Sequence, residues 1–402
     1  MSVSQFAEPP TIAPEALLED THGTLRSLRR DHSLIRFGKR QFLVLRAEDA
    51  NSVLADPRMR ALEGSEYVQL HDLPEGAATR FFRDFFLLSN GQDHRTIRSL
   101  FAHSFSLGRM TAKRPQMGEV ARQIAHELPR GRPFDFLDRM AARVPAEMIA
   151  SLLGLDPGDI PYFSQRAYSL ALAFSPIYPH DRHAEIEVAA AEMYDYVYRN
   201  LQDRLEDPRD DLLSSLATMW QDQRPISFSS LVHQVIGLIL GGVDTTRAAF
   251  AMLVSLLLQH PEQWQAVKDD PALIPGAVAE GLRYDPSVGS VVRIATEPLE
   301  VCGFPIEPGH ILRVSTMAAL RDPEVYADPE RFDVRRTDHP RMHPVFSQGP
   351  HRCIGQALAQ IEMEEALGAL VDIAPRIELV EAPALTGIGG IRQISPMIVR
   401  IA

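Results

Sequence analysis

The chain has 402 residues, of which 45% are hydrophobic and 23% charged, a balance typical of a globular protein with a large core. A net charge of −12 argues against nucleic acid as a partner, and the two cysteines, Cys302 and Cys353, are too few for a disulfide framework or a structural zinc site. The first ten residues hold no apolar anchor, so we expect a soluble protein in a reducing cytoplasm, with no membrane segment.

The first ninety residues predict a small β region followed by an apolar loop. Residues 33–37 and 41–45 flank Gly38 and indicate a β-hairpin, and a helix is expected over residues 47–54. Residues 56–90 have no regular period, so an irregular loop is expected there. Its apolar side chains are expected either to line a pocket or to pack beneath the loop: Tyr67, Leu70, Phe81, Phe82, Phe85 and Phe86.

Two hydrogen-bond donors follow this loop. Asp93 can cap a helix that begins at His94, which places His94 and Arg98 four residues apart on one helix face. Two donors on one face suit an acidic group better than they suit each other. The alternative is an ordinary solvated basic face.

The middle of the chain predicts a mostly helical region. A segment at residues 167–178 is apolar and broken by Pro176 and Pro179, which fits a hinged lid over an apolar pocket, although a plain helix end is the rival interpretation. Apolar periodicity indicates helices near residues 116–127, 136–153, 185–204 and 211–220.

Residues 229–259 form the longest periodic run, about 45 Å if fully helical. Two glycines at its middle, Gly241 and Gly242, cost a helix about 2 kcal/mol relative to alanine, so the weak centre needs a reason. Close helix packing at the glycines is one such reason. Asp244 and Arg247 in mid-run exclude a membrane span.

Two later segments carry charge in apolar surroundings. Glu280 and Arg283 lie three apart on a predicted helix, where an exposed ion pair would contribute only ~0.2–0.5 kcal/mol. Arg293 interrupts an apolar strand at residues 291–295, and a buried arginine needs an anionic partner.

Cys353 lies in a loop rich in glycine. Gly349 and Gly355 fit a tight loop packed against a flat ligand, and a helical pattern follows at residues 354–371. The positive end of a helix lowers the pKa of a cysteine at its N-terminus, so the sequence predicts a thiolate, the form of cysteine that binds metal. The alternative is an ordinary buried thiol.

The order Phe346-x-x-Gly349-x-His351-x-Cys353-x-Gly355, followed by a helix, resembles the haem-binding loop of the cytochrome P450 superfamily. Ser347 departs from that pattern, since many members have glycine there. The resemblance implies a mainly α protein with a small β region, built as one domain over residues 1–402 with residues 1–30 as an N-terminal arm. It implies haem b, iron protoporphyrin IX, bound between the long central helix and the loop whose Cys353 is the axial thiolate ligand of the iron.

The resemblance also implies roles for other residues. Glu280 and Arg283 would belong to a scaffold salt bridge with Arg331 as third member. Asp244 and Thr245 would relay protons to bound oxygen, with Gly242 leaving room for it. The remaining haem contacts would come from Phe346, Gly349 and Gly355 in the loop, and from donors to the haem propionates: His94, Arg98, Arg293 and His351.

The implied activity is monooxygenation of an apolar small molecule, such as a terpenoid, fatty or aromatic compound. Electrons would come from a ferredoxin- or flavodoxin-type carrier with its reductase, and the enzyme would be a monomer. The alternatives are a peroxide-driven enzyme and a haem-binding sensor without turnover. A docking face for the carrier is expected near the cysteine side of the haem, although the same residues could form a scattered solvated face: Arg95, Arg98, Arg109, Lys113, Arg114 and Arg352.

Overall fold

The computed structural model describes residues 8–17, 19–175, 178–340, 343–374 and 376–402. Most of these residues are helical, so the prediction of a mainly α protein with a small β region is confirmed. The helices are α1 (Thr21–Asp31), α2 (Ala47–Ala55), α3 (Gly64–Leu70), α4 (Ala77–Asp84), α5 (Gly91–Ala102), α6 (Leu107–His126), α7 (Arg143–Leu153), α8 (Ile160–Ala171), α9 (His183–Glu206), α10 (Leu212–Gln223), α11 (Phe228–Gln259), α12 (Pro261–Asp269), α13 (Ile274–Tyr284), α14 (Thr316–Ala319) and α15 (Gln356–Ile373).

In the described part of the chain, the strands form one larger sheet and three small ones. The larger sheet has the order β1-β2-β8-β5-β3, in which β2 and β8 are parallel and the other pairs antiparallel. The strands are β1 (Leu34–Gly38), β2 (Gln41–Val44), β3 (Met59–Arg60), β4 (Pro133–Asp135), β5 (Ser290–Ala295), β6 (Leu299–Val301), β7 (Phe304–Ile306), β8 (Ile311–Ser315), β9 (Ile377–Glu381), β10 (Leu385–Thr386), β11 (Gln393–Ile394) and β12 (Ile398–Ile401).

Helix α11 is the central element of the helical region. Ser227 caps it by accepting a hydrogen bond from the Ser230 N–H, and α7, α8, α9, α13 and α15 pack around it. Among the described helices, α11 alone is long and apolar enough to cross a membrane, and 78% of its most apolar window is buried inside the fold. Its apolar length therefore serves packing within the protein.

The predicted hairpin and the helix after it are confirmed as β1, β2 and α2, but the prediction of an irregular loop over residues 56–90 is wrong. Two helices, α3 and α4, occupy that region. A capping box between Glu63 and Glu66 starts α3. The carboxylate of Glu187, far away on α9, accepts hydrogen bonds from the first N–H groups of α4 at Ala77 and Ala78, a cap that no local pattern reveals.

Several predicted helix boundaries shift by a few residues. Helix α5 begins at Gly91 rather than His94, and α15 begins at Gln356 rather than residue 354. Helix α6 begins earlier than predicted, at Leu107, and continues through Pro115. The predicted lid is helical at α8 and then turns, and Pro176 lies outside the described residues.

A buried salt bridge holds α13 to the irregular segment before the cysteine loop. Both side chains of Glu280 and Arg283 are fully buried, and Arg283 donates to Glu280 at 2.7 and 2.9 Å. The third cation is Arg336, at 3.2 Å from Glu280, and not Arg331 as predicted. The Arg331 side chain is 63% exposed, against 6% for Arg336, and it contributes only its carbonyl, which accepts from Arg283.

Removing Arg336 should destabilise the protein more than removing Arg331. We expect Arg336→Ala to lower the free energy of unfolding by about 2–4 kcal/mol, because part of the buried Glu280 charge loses its compensation. The matched control, Arg331→Ala, should cost less than about 0.5 kcal/mol because its side chain lies in solvent. Urea unfolding followed by circular dichroism compares the two variants, and equal losses would show that the assignment of Arg336 is wrong.

Candidate haem site

The cysteine loop folds back so that its own backbone positions Cys353. The Cys353 N–H donates to the Phe346 carbonyl at 2.8 Å, which closes the loop between two short 3-10 turns. The Gly355 N–H donates to the Cys353 sulfur, and a Cβ at Gly355 would lie 4.0 Å from that sulfur. Phe346 is buried in the core beneath the loop.

Two residues of the loop adopt the left-handed backbone conformation. Gly349 has φ of 68°, and a Cβ there would lie 2.9 Å from the Leu54 carbonyl oxygen, so this position requires glycine. Ser347 has φ of 62°, a conformation that costs a non-glycine residue about 1–3 kcal/mol. Two contacts hold Ser347 in this conformation: its carbonyl accepts a hydrogen bond from Arg352 at 2.9 Å, and its hydroxyl lies 3.4 Å from Arg293.

The prediction of a lowered thiol pKa at Cys353 is corrected by the structure. The thiol is accessible yet surrounded by protein, and this desolvation raises its pKa, opposed by the Gly355 N–H and by the charges of Arg98 and Arg352. Helix α15 starts three residues later, so only one backbone N–H reaches the sulfur. A metal that binds Cys353 must therefore displace its proton.

The four predicted propionate donors come together beside this loop. The rings of His94 and His351 have centres 4.1 Å apart, and Arg98 donates to the Arg352 carbonyl at 2.6 Å. Arg293 reaches the loop at Ser347, as described above. The positive charges of Arg98 and Arg293 also act on His351, so one electrostatic environment contains all four residues.

This cluster holds positive charge without a protein anion. Every aspartate and glutamate of the chain lies in the described part, and none is within 4.0 Å of Arg98 or Arg293. Burial lowers the pKa of Arg293 to about 10. Burial and the neighbouring positive charges lower the pKa of His94 to about 4 and that of His351 to about 3, and Nε2 of His94 is buried with no partner. A set of buried and half-buried donors with no protein carboxylate fits the two carboxylates of haem.

The middle of α11 has an open side. Gly241 is exposed although its neighbours Leu240 and Val243 are buried, and a Cβ at Gly241 would meet no atom within 4 Å. Thr245 lies one turn further on the same side and donates to the Gly241 carbonyl at 3.0 Å. Gly242, predicted to leave this room, instead faces α7, where a Cβ would lie 3.2 Å from Ile149. Gly241 is therefore the glycine that borders the open side.

Asp244 is buried and already paired. Its carboxylate accepts from Arg247, three residues on, and the guanidinium of Arg247 lies 3.9 Å from the centre of the Tyr168 ring on α8. Burial raises the pKa of Asp244, while the charge of Arg247 opposes the rise. This pairing was not predicted from the sequence, although acid and base three residues apart on a helix are the local signal for it.

Comparisons with known proteins identify the family of the chain. The family model "Cytochrome P450" matches residues 169–372. The chain is 33% identical over 400 residues to "Cytochrome P450-pinF1, plant-inducible" of Rhizobium radiobacter, covering 99% of this chain and 94% of that protein. It is 32% identical to "Luteothin monooxygenase" of Streptomyces thioluteus, covering 85% and 83%.

A solved structure supports the same fold. The cytochrome P450 enzyme CxnD, described as forming a C–S bond in chuangxinmycin biosynthesis, matches with a TM-score of 0.88 and 27% identity, covering 98% of both chains. The chain belongs to the cytochrome P450 family, and the predicted fold is confirmed. It is a P450 monooxygenase of the bacterial type, and its cofactor is haem b, held in this family by a cysteine thiolate.

Haem retention should depend strongly on Arg293. Arg293→Leu removes a charge-assisted hydrogen bond worth ~1.5–3 kcal/mol and leaves a propionate without a partner, so haem should leave the protein faster. The control is Arg40→Leu, at an exposed arginine of the β1–β2 turn. Haem transfer to apomyoglobin, followed by absorbance, measures the rate, and a rate equal to that of the wild type would contradict the assignment.

Proposed function

We propose that this P450 monooxygenase inserts one atom of O2 into an apolar organic molecule, such as a terpenoid, a fatty or an aromatic compound. The observation that carries the proposal is the combination of an accessible Cys353 thiol with an open side of α11 that bears Thr245. Cys353 supplies a metal ligand, and the open side of α11 supplies room and the hydroxyl group of Thr245. Helices α11 and α15 pack together, which supports a haem position between them.

Haem would be held by residues with distinct tasks. Cys353 would bind the iron, and the glycines of its loop would let the backbone approach the ring. The propionates would accept hydrogen bonds from His94, Arg98, Arg293 and His351. When bound, haem supplies the activation of O2 and the oxidising power for the reaction, while the protein supplies binding, orientation and protons.

An aromatic cluster beside α11 supports an apolar substrate. Ring centres of Tyr67, Phe82 and Phe174 lie 4.9 to 6.3 Å apart, and Phe85 lies 6.1 Å from Phe174. Phe85 packs directly on α11 at Gly237, where a Cβ would collide with its ring. Gly237 is four residues before Gly241 and so shares its side of the helix. The aromatic cluster therefore borders the open side.

Thr245 and Asp244 are proposed to move protons. Thr245 can turn its hydroxyl from the Gly241 carbonyl toward the open side with one rotation about its Cα–Cβ bond. Asp244 can hold a proton more readily than an ordinary aspartate because burial raises its pKa. Arg247 limits this by stabilising the carboxylate form.

Substituting Thr245 tests this relay. Thr245→Ala should keep haem and substrate binding but divert reducing equivalents into hydrogen peroxide, because a positioned proton donor is lost. Thr246→Ala, at the buried neighbour on another side of the helix, is the control and should stay coupled. The ratio of product to reductant consumed, with a supplied electron chain, is the measurement. A fully coupled Thr245→Ala enzyme would reduce Thr245 to a structural role.

The same assay separates the rival functions. A peroxide-driven enzyme would turn over with hydrogen peroxide alone and would not need the relay. A haem-binding sensor would give no product under any condition. Product formed from O2 with a supplied electron chain, and only then, supports the proposed monooxygenase.

We propose a small acidic ferredoxin or flavodoxin, with its reductase, as the electron donor to a monomeric cytoplasmic enzyme. In the structure, fewer of the predicted basic residues are available for the docking face. Arg114 pairs with Glu364 and Glu365, and Arg352 bonds inward to Ser347. The exposed Arg109 and Lys113, four apart on α6, have no acidic group within 4.0 Å among the described residues.

Charge reversal on α6 should slow reduction by the carrier. The double variant Arg109→Glu, Lys113→Glu should reduce the rate of electron transfer and flatten its dependence on salt, because attraction between the partners is lost and screening acts over ~8 Å. Arg199→Glu, at an exposed position on α9, should change neither. Stopped-flow reduction across an ionic-strength series measures both quantities. Identical salt slopes in the double variant and the wild type would exclude this face.

A further inference from the structure

Arg313 is an interior arginine that the proposed reaction does not use. It lies on β8, opposite Val292 of β5 and Leu43 of β2. Its Nε is 3.4 Å from the side-chain oxygen of Gln41, and its guanidinium lies 6.0 Å from the centre of the Phe37 ring. The side chain is partly accessible although protein surrounds it.

This arginine has no anionic partner. No aspartate or glutamate lies within 4.0 Å of it in the described residues, which include every acidic residue of the chain, and its terminal nitrogens Nη1 and Nη2 donate to no described protein atom. Other buried arginines of this fold, such as Arg204, Arg283 and Arg392, each hold a carboxylate. Among the described arginines, only Arg293 and Arg313 have a pKa that is lowered by burial with no other charge acting on it.

Haem cannot satisfy both of these arginines. Arg293 lies opposite Leu312 and Arg313 lies opposite Val292, and successive residues of a strand point to opposite faces of a sheet. The two guanidinium groups therefore belong to different sides of the larger sheet. If haem propionates accept from Arg293, they do not reach Arg313, whose Nη1 and Nη2 stay available to a second anion.

The surroundings of Arg313 connect it to the proposed substrate region. Burial, followed by the charge of Arg313, lowers the pKa of His71, at the end of α3, to about 4. The His71 ring centre lies 4.6 Å from that of Tyr67 and 5.8 Å from that of Tyr178. Tyr67 belongs to the aromatic cluster and donates to the Ala173 carbonyl just after α8. The charge of Arg313 therefore acts on the His71 ring, which packs against the Tyr67 ring of that cluster.

We propose that Arg313 binds the carboxylate of the substrate, which would be an amphipathic acid whose apolar body lies against the aromatic cluster. The inference rests on the proposed function and names the substrate class of the same site. The planar guanidinium can donate from Nη1 and Nη2 to both oxygens of one carboxylate, and a buried pair of this kind is stronger than a neutral hydrogen bond. His71 is uncharged at neutral pH and offers a further polar contact.

Matched acids and amides test the proposal. The haem-bound enzyme is titrated with decanoate, tetradecanoate, 4-phenylbutyrate and an indole acid, each paired with its primary amide, by calorimetry and by the spin-state shift of the haem. At least one acid should bind about tenfold or more tightly than its amide. Arg313→Gln should abolish that preference and leave the amide affinities unchanged. Arg40→Gln, at an exposed arginine of the same sheet region, should retain the preference.

The outcomes are distinct. No preference for any acid, or a preference that survives in Arg313→Gln, overturns the proposal. The titration needs neither electrons nor O2, so a failure of turnover contradicts the proposed monooxygenation without affecting this result.

A second variant tests the proposal without any of these ligands. Arg313→Leu should melt at a higher temperature than the wild type without ligand, because a largely desolvated charge with no ionic partner is removed. A lower melting temperature would mean that Arg313 supports the fold and would overturn the proposal.

Discussion

Positive charge buried without a protein anion is the constraint on which the haem region depends. Arg293 and Arg98 lie beside the cysteine loop with hydrogen-bond acceptors but no carboxylate, and His94 has a buried ring nitrogen with no partner. Leaving such groups unpaired is costly, so the folded chain gains free energy by binding a dianion there. Haem meets this requirement with its propionates and also provides a metal for Cys353. The same requirement, on the other side of the sheet, is the basis for assigning an acid to Arg313.

The open side of α11 complements this charged region. Gly241 weakens a helix intrinsically, yet the helix persists because neighbouring helices bury the rest of its surface. The resulting space lies beside Thr245 and next to the aromatic cluster that packs on Gly237. Room, a hydroxyl group and an apolar wall therefore arise from one helix face. Asp244 lies next to Thr245 in the chain and accepts a hydrogen bond from Arg247. The protonation of Asp244 therefore depends on its interaction with Arg247.

Local sequence signals predicted much of this structure, and long-range contacts account for most of the misses. The cysteine loop, the β1–β2 hairpin and the extent of α11 follow from glycine placement and periodicity. Helix α4 could not be predicted because Glu187 caps it from α9. Arg336 replaces Arg331 beside Glu280 because the path of an irregular segment, and not spacing, decides which arginine turns inward. The thiol pKa at Cys353 was misjudged because burial outweighs the single backbone donor.

The central claim is that Cys353 is the thiolate ligand of the haem iron. The most direct test is the absorption spectrum of the reduced protein with carbon monoxide, recorded for the wild type, Cys353→His and Cys302→Ser. The wild type and Cys302→Ser should give the red-shifted Soret band of thiolate ligation, whereas Cys353→His should give the band of a histidine-ligated haem. Since Cys302 is the other cysteine of the chain, it controls for nonspecific thiol effects. A red-shifted band that survives in Cys353→His would contradict the account.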